Sequence, residues 1–238
     1  MTSSCSLRKQ GVPEERQYKS KNIEIVIARY NEDLNWLENP IFYPIDNITV
    51  YNKGQNDNFM KNIRRTIDLP NLGRESHTYL THIIRNYDSL ADMTIFLPGS
   101  AETPHKWSKV QTIMEMLKET EEHAFPEINA DIYGEELDFH LDAWGCNHTM
   151  NQEMHPSTEL TPSKYRPFRE WYAHYFGMHT YGTYTKCGYT GVFAINKKHI
   201  LKRPKSYYMN LIQDLEVSSN PEVGHYFERA WSAVFDII

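Results

Sequence analysis

The segment between Asn71 and Ser100 limits the possible folds more than any other part of the chain. It contains a glycine loop, then an amphipathic stretch that begins at Arg74, then an apolar run at 93–97 that ends in small residues. His77, Leu80, Ile83, Ile84 and Tyr87 recur on one side of the amphipathic stretch. This order predicts a loop, a helix and a buried strand.

The start of the predicted helix is suited to an anion. A helix N-terminus carries unpaired N–H groups and partial positive charge, which favour a phosphate. Arg74 lies in this first turn, and its guanidinium can add a two-pronged bond to a phosphate or carboxylate. We therefore expect a ligand contact at Arg74.

Other apolar patterns complete an α/β plan. The β-branched run at 23–28 and the short runs at 48–51 and 190–195 predict further strands. Helical spacing predicts helices at 109–120, 197–201, 205–215 and 223–235, while no element is predicted between 121 and 185. Alternating strands and helices indicate one α/β domain, 21–238, with a mainly parallel central sheet flanked by helices. Residues 1–20 are polar and aperiodic, which predicts a flexible tail.

Charge and composition exclude several classes of protein. The formal net charge of the 238 residues is −6 and no long basic run occurs, which argues against a nucleic-acid-binding surface. No apolar run has the length of a membrane span, and no secretory signal pattern precedes the first strand. The three cysteines form neither a metal-ligand spacing nor an even disulfide framework, so a reducing, cytoplasmic setting is the simpler expectation.

The ends of the predicted strands form the expected ligand site. In open α/β sheets a ligand lies beyond the carboxyl ends of the strands. The residues at these ends are polar or aromatic at 28–33 and 51–53, and small at 98–100, whereas the strands before them are apolar. This contrast favours a binding site over ordinary surface loops.

The last predicted helix carries the best candidate for chemistry. Its packed side is formed by Phe227, Ala230, Trp231, Val234 and Phe235. His225, Glu228 and Ser232 lie on the adjacent stripe. A carboxylate beside an apolar face loses water, which raises its pKa and suits it to general-base catalysis. The alternative for Glu228 is an exposed ion pair on the helix surface.

A second constellation indicates different chemistry. Asp138, His140 and Asp142 alternate with apolar residues, so on a strand their side chains would share one face. Two carboxylates and an imidazole could then hold a metal ion. The alternative is a half-exposed strand with a polar outer face.

Several segments together resemble the GT-A class of nucleotide-sugar glycosyltransferases, which are Rossmann-like. Residues 25–33 are similar to the first strand and its Tyr-Asn-Glu loop, and residues 71–79 are similar to the glycine-containing region before the central strand. A closer resemblance is to a family of large DNA viruses, fungi and bacteria. It rests on the Arg-Tyr-Asn-Glu-Asp opening, the Gly-Arg-Glu-x-x-Thr-Tyr-Leu helix and the closing Glu-Arg-x-Trp helix, and covers roughly 23–100 and 188–235.

The resemblance implies a glycosyltransferase that moves a sugar from a UDP- or GDP-sugar to a hydroxyl of a glycan or glycoprotein acceptor, in the cytoplasm (the host's, if the chain is viral). The implied donor contacts are Ala28, Arg29, Tyr30, Asp33, Tyr51, Lys53, Arg74, Pro98, Gly99 and Ser100. Glu228 would be the base of an inverting reaction, and His225 or Arg229 would steady the leaving phosphate.

The chain departs from the class at the metal site. Where an Asp-x-Asp motif is expected it has Leu97, Pro98, Gly99 and Ser100, none of which is a good ligand for Mn²⁺ or Mg²⁺. Three alternatives follow: Glu102 substitutes as a ligand, arginine and lysine replace the metal, or catalysis is lost and a sugar- or nucleotide-binding protein is left. A metal-dependent hydrolase built on Asp138, His140 and Asp142 is the remaining alternative.

Overall fold

The computed structural model describes residues 18–20, 22–43, 45–56, 59, 63, 65–128, 135–141 and 160–238. Their strands are β1 (Ile23–Arg29), β2 (Ile48–Asn52), β3 (Arg65–Asp68), β4 (Met93–Pro98), β5 (His123–Ala124), β6 (Glu127–Ile128), β7 (Lys186–Cys187) and β8 (Phe193–Asn196). Their α-helices are α1 (Arg74–Arg85), α2 (Pro104–Met116), α3 (Phe168–Phe176), α4 (Lys197–Ile200), α5 (Lys205–Leu211) and α6 (Val223–Val234).

The described strands form a central six-stranded sheet in the order β3-β2-β1-β4-β8-β5. Neighbouring strands from β3 to β4 pair in parallel, and β8 is antiparallel to both β4 and β5. The predicted α/β class with a mainly parallel sheet is thus confirmed. Ala28 on β1 lies beside Tyr51 on β2 and Pro98 on β4, which aligns the carboxyl ends of the three strands.

A hydrophobic core fills each face of this sheet. One core contains Val26, Phe96 and Phe193 and is covered by α1 and α6. The other contains Ile27 and Leu97 and is covered by α2 and the short 3₁₀ helices that follow β1. Because β1 and β4 are covered on both sides, each carries an unbroken apolar run, at 25–28 and 95–97, as buried parallel strands do.

Aromatic packing fixes α1 against α6. The Tyr79 ring of α1 lies 4.7 Å from Phe96 and 6.1 Å from Trp231 of α6, centroid to centroid. Trp231 in turn lies 5.0 Å from Phe193. These contacts seat both helices on β4 and β8, so the first turn of α1 and the middle of α6 meet near the end of β4.

A buried carboxylate joins the segments around 141 and 163 to the start of α6. Glu222 is fully buried, and its two oxygens accept the backbone N–H groups of Leu141 and Ser163, each at 2.8 Å. Arg166 Nε lies 3.2 Å from the same carboxylate. Because a buried charge needs partners of this kind, Glu222 has a structural role.

Several predicted boundaries were wrong. The strand expected at 190–195 begins only at Phe193, because Tyr189–Gly191 forms a tight 3₁₀ turn. The helix expected at 109–120 is Pro104–Met116, with the proline in its first turn, where its missing N–H costs nothing. The helix expected at 205–215 ends at Leu211 and continues as a 3₁₀ turn.

Other segments were not predicted or lie outside the description. β3 and α3 were both missed. Residues 1–17 of the expected tail are outside the described residues, while Tyr18 is buried and the Lys19 N–H donates to Leu117 O at 3.1 Å. Within the described ranges, each helix is too short or too polar to cross a membrane.

Candidate active site

The order of the strands creates a crevice between β1 and β4. The chain runs from β1 outward through β2 to β3, then returns to place β4 on the other side of β1. The loops after β1 and β4 therefore leave in opposite directions. Such a switch point is where open α/β sheets bind ligands.

At the end of β1, Arg29 organises two loops. Its side chain is 1% exposed, and it donates to Glu32 O at 2.8 Å and to Asn52 Oδ1 at 2.7 Å. It also binds Asn56 and lies 3.8 Å above the Phe59 ring. Arg29 is thus enclosed by protein groups, so its geometry favours shaping the loops over direct contact with a ligand.

The turn after Arg29 presents Tyr30 and holds Glu32 against β4. Glu32 Oε2 accepts the N–H groups of Tyr30 and Asn31 at 2.7 and 3.0 Å. A Cβ at Gly99 would lie 2.8 Å from this oxygen, so a larger residue there would have to displace the Glu32 side chain. Tyr30 is 37% exposed at this edge, and Asp33, also exposed, accepts from the backbone of Asn35.

The end of β4 brings a lysine into the crevice. Gly99 is fixed from both sides, by its own N–H to Ala28 O at 2.7 Å and by the Trp36 indole N–H to its carbonyl at 2.9 Å. The next residue, Ser100, accepts a hydrogen bond of 2.6 Å from Lys106 Nζ in the first turn of α2. Ser100 was predicted as a site residue, whereas Lys106 was not.

Lys53 joins the end of β2 to the start of α1. Its ammonium donates to the carbonyl oxygens of Leu72 and Arg74. Burial lowers the pKa of Lys53 to about 7, and the nearby Glu75 carboxylate opposes that shift. Tyr51, the other predicted contact on β2, is fully buried, and its hydroxyl lies 3.2 Å from His82 Nδ1 in the core.

The start of α1 has a strained backbone. Gly73 has φ 58° and Arg74 has φ 53°, so two successive residues are left-handed. For an arginine this conformation is unfavourable, and it aims the side chain across the crevice toward α6. Its stem lies over Gly224, where a Cβ would be 3.1 Å from Arg74 Cδ.

Arg74 meets the first turn of α6. Its Nη1 atom lies 3.4 Å from Asn220 Oδ1 and 3.4 Å from His225 Nε2. Its Nε lies 3.8 Å from the Glu75 carboxylate. The structure therefore brings together Arg74 and His225, two of the predicted site residues, from opposite ends of the sequence.

Glu228 lies one helical turn beyond His225 and faces the same crevice. Burial raises the pKa of its carboxyl to about 7; the Glu75 carboxylate adds to this shift, and Arg74 and Arg229 oppose it. The Thr190 backbone N–H donates to the Glu228 carboxylate. A carboxyl with this pKa can exchange a proton near neutral pH.

A second strained turn supplies the N–H that binds Glu228. Thr190 has φ 66° and Gly191 has φ 74°, and the Tyr79 hydroxyl donates to Gly191 O at 2.8 Å. A Cβ at Gly191 would lie 2.7 Å from Glu75 Cγ. Two left-handed turns thus meet around Glu75 and Glu228, and strain of this kind clusters at functional sites.

Arg229 is held away from the centre of the crevice. Its Nε binds Glu136, and its guanidinium lies 3.5 Å above the Phe139 ring. Its Nη1 also donates to His225 O at 3.0 Å. This geometry suits a positioning role for Arg229 more than direct contact with a phosphate.

Sequence reasoning missed Glu75 and Lys106 as site residues. Glu75 was evident only as a charge in the first turn of α1, and Lys106 follows β4 without any motif. Their proximity to Glu228 depends on the packing of three helices, which spacing in the sequence does not encode. The small residues after β4 were the available signal, because they leave room for a side chain from elsewhere.

The second predicted constellation does not form a strand. Asp138 ends a 3₁₀ helix, Glu135–Asp138, and is paired with Arg169 at 3.0 Å. His140 is exposed and its Nδ1 lies 2.9 Å from Asp138 O, while Asp142 lies outside the described residues. A 3₁₀ turn cannot align alternate side chains on one face as a strand does, so that expectation was wrong.

The described side chains at the end of β4 do not form a suitable set of ligands for a divalent cation. No group of three histidine, cysteine, aspartate or glutamate residues in the described ranges could hold a metal ion. At the end of β4, Ser100 binds an ammonium group, and Glu102 is exposed. A lysine therefore occupies the place where the resemblance led us to look for metal ligands.

Comparison with known proteins places the chain in a family. Neither the curated proteins nor the solved structures contain a match to it. The family model described as "Protein of unknown function (DUF3431)" matches residues 25–237, which include every element of the crevice. The chain therefore belongs to this family.

Proposed function

We propose that the protein is a glycosyltransferase that uses a nucleotide-diphosphate sugar and that Glu228 is its general base. The observation that carries the proposal is the place of Glu228: it lies at the switch-point crevice, with a pKa raised to about 7, beside Arg74 and His225. The resemblance of residues 25–33 and 71–79 to GT-A enzymes supports the same class, and the mixed sheet with antiparallel β8 is compatible with it.

The proposed reaction is a single displacement. Glu228 accepts the proton of an acceptor hydroxyl as the hydroxyl oxygen forms a bond to the anomeric carbon. The bond between that carbon and the donor phosphate oxygen breaks, and the leaving nucleoside diphosphate keeps the electron pair. Arg74 and His225 lie where they can stabilise the negative charge that develops on this phosphate.

The donor would bind along the ends of the parallel strands. Tyr30 is partly exposed at the end of β1, and Gly99 and Ser100 lie beside it at the end of β4. Arg29 and Lys53 would keep these loops and the start of α1 in place rather than touch the donor, since protein groups enclose them.

The test combines one substitution with a pH profile. We expect Glu228→Gln to lower the release of nucleoside diphosphate from a panel of UDP- and GDP-sugars by about 10²-fold or more, the usual contribution of a general base. In the wild-type protein the rate should rise as the pH passes through about 7, because only the ionised carboxylate accepts a proton.

The matched control is Glu170→Gln, an exposed glutamate on α3 that should turn over like the wild type. Turnover by Glu228→Gln at the wild-type rate would contradict the role of Glu228. Binding of a nucleotide sugar without turnover by the wild-type protein would instead identify a binding protein on this fold.

A further inference from the structure

A cavity separate from the crevice lies along α1. Its volume is about 440 Å³, and its walls come from the end of β3, from α1, and from α5 with the 3₁₀ turn that follows it. Among the described residues that line the cavity, none belongs to the crevice. Small-molecule sites in proteins have volumes of roughly 300–1,000 Å³. The cavity is therefore large enough for a ligand of its own.

Aliphatic and thioether side chains form the body of this cavity. Leu69 and Ile212 are buried in its walls, and Ile84 of α1 is half-buried beside them. Met209 of α5 lines the same space and is 50% exposed. A methionine side chain is flexible and polarisable, so it can pack against ligands of different shapes. The middle of a ligand bound here would therefore be apolar.

A histidine and a glutamate lie close together in the cavity wall without a direct hydrogen bond. His77 Nε2 is 3.9 Å from Glu216 Oε1, which is longer than a hydrogen bond. Burial lowers the pKa of His77 to about 4, so the imidazole is neutral at pH 7. We assign its proton to Nε2 because the Glu216 carboxylate lies nearest that atom. A ligand hydroxyl between the two groups could accept from this N–H and donate to the carboxylate.

A cation lines the cavity farther along α1. Arg85 is exposed on the last turn of the helix, and no carboxylate in the described part of the chain is within ion-pair distance of it. It follows His77 by eight positions, a helix rise of about 12 Å. A long side chain on a helix leans toward the N-terminus, which shortens this span. The guanidinium of Arg85 is suited to a carboxylate.

We infer that this cavity binds a medium-chain hydroxy acid. The ligand hydroxyl lies between His77 and Glu216, and the ligand carboxylate binds Arg85. The chain between them packs against Ile212 and Met209. An extended eight-carbon chain spans roughly 10 Å, which fits the distance along α1. The inference is independent of the proposed function, because it uses no residue of the crevice.

Ligand-observed NMR titration with hydroxy acids of two lengths tests the inference. We expect 8-hydroxyoctanoate to bind with a low-millimolar dissociation constant, which is usual for a ligand of its size, and 4-hydroxybutyrate, which is too short to reach both ends, to bind about tenfold more weakly or less. Arg85→Gln should weaken the binding of 8-hydroxyoctanoate by about tenfold, as for loss of a charge-assisted hydrogen bond. The same variant should leave the binding of octane-1,8-diol unchanged, because the diol has no carboxylate.

The matched control is Arg169→Gln, which removes an exposed arginine of α3 that does not line the cavity. Equal binding of 8-hydroxyoctanoate by the two arginine variants would overturn the inference, and so would no binding of either hydroxy acid. Octanoate tests the hydroxyl contact: if it binds as tightly as 8-hydroxyoctanoate, the place assigned to the hydroxyl between His77 and Glu216 is wrong. A thermal melt of each variant shows that it is folded before it is titrated.

Discussion

At the residue scale, left-handed backbone marks the crevice. Arg74 and Thr190 are two of the few described residues other than glycine with a positive φ, and each follows or precedes a glycine with the same conformation. For a β-branched residue such as Thr190 this conformation is especially unfavourable. The strain is stabilised by surrounding contacts, among them the hydrogen bond from Tyr79 to Gly191.

Gly191 offers a test of this packing. We expect Gly191→Ala to lower the free energy of unfolding by about 1–3 kcal/mol, because it adds a left-handed alanine and a contact with Glu75. Gly182→Ala isolates the first effect, since Gly182 has φ 82° and a Cβ there would meet nothing within 4 Å. Urea denaturation of both variants measures the difference in the free energy of unfolding. Equal losses would show that the Glu75 side chain moves away from the added methyl group without a loss of stability.

At the element scale, α6 links the crevice to the rest of the protein. Its middle supplies Glu228, its first turn contacts Arg74, and the residue before it, Glu222, holds the segments at 139–141 and 160–166. The helix is therefore fixed at its start by a buried charge and along its length by aromatic packing. Both constraints place Glu228 with respect to α1.

The buried carboxylate gives the prediction at this scale. We expect Glu222→Gln to lower the free energy of unfolding by about 3 kcal/mol, because one carboxylate oxygen becomes an NH₂ group that faces N–H donors and Arg166 loses its counter-ion. Glu216→Gln is the control, since the side chain of Glu216 is 53% exposed. Unfolding of both variants within about 0.5 kcal/mol of the wild type would contradict the structural role of Glu222.

At the scale of the whole molecule, buried and half-buried histidines link stability to pH. Burial lowers the pKa of His82 to about 3 and the pKa of His77 and His123 to about 4. All three start from 6.5 in the unfolded chain. Between these values the unfolded chain binds protons that the folded chain does not, so stability falls as the pH is lowered from about 6.5 toward 4.

This dependence can be measured by denaturation at several pH values. We expect the midpoint for urea unfolding to fall steadily between pH 7 and pH 5, and to fall less steeply in His123→Gln, which lacks one of the three groups. His179→Gln, which removes an exposed histidine, should keep the slope of the wild type. A slope unchanged in His123→Gln would show that His123 does not contribute.

Local patterns in the sequence predicted the strands and helices whose buried residues form a regular apolar pattern. The apolar runs at 23–28 and 93–97 became β1 and β4. Four of the five apolar residues predicted for the packed side of α6 lie on it, and the fifth, Phe235, is buried at its C-cap. β3 was missed because Arg65–Asp68 is half exposed and carries no apolar alternation. The strand expected at 190–195 begins only at Phe193, because Thr190 adopts a conformation rare for threonine.

The candidate site was predictable only in part. Arg74, His225 and Glu228 were identified from helix positions, and the structure brings them together. Lys106 and Glu75 required the packing of α1, α2 and α6, because each resembles an ordinary charge of a first helical turn. Long-range contacts of this kind leave no periodic signal in a single sequence.

Trp36 contacts the backbone at the end of β4. Its indole N–H donates to Gly99 O, next to the serine that holds Lys106, and its ring packs 5.5 Å from Phe42 in the core. The emission of an indole depends on the partner of its N–H and on the electric field across its ring. Trp36 is therefore a fluorophore in direct contact with the end of β4, next to Ser100, the residue that accepts the hydrogen bond from Lys106.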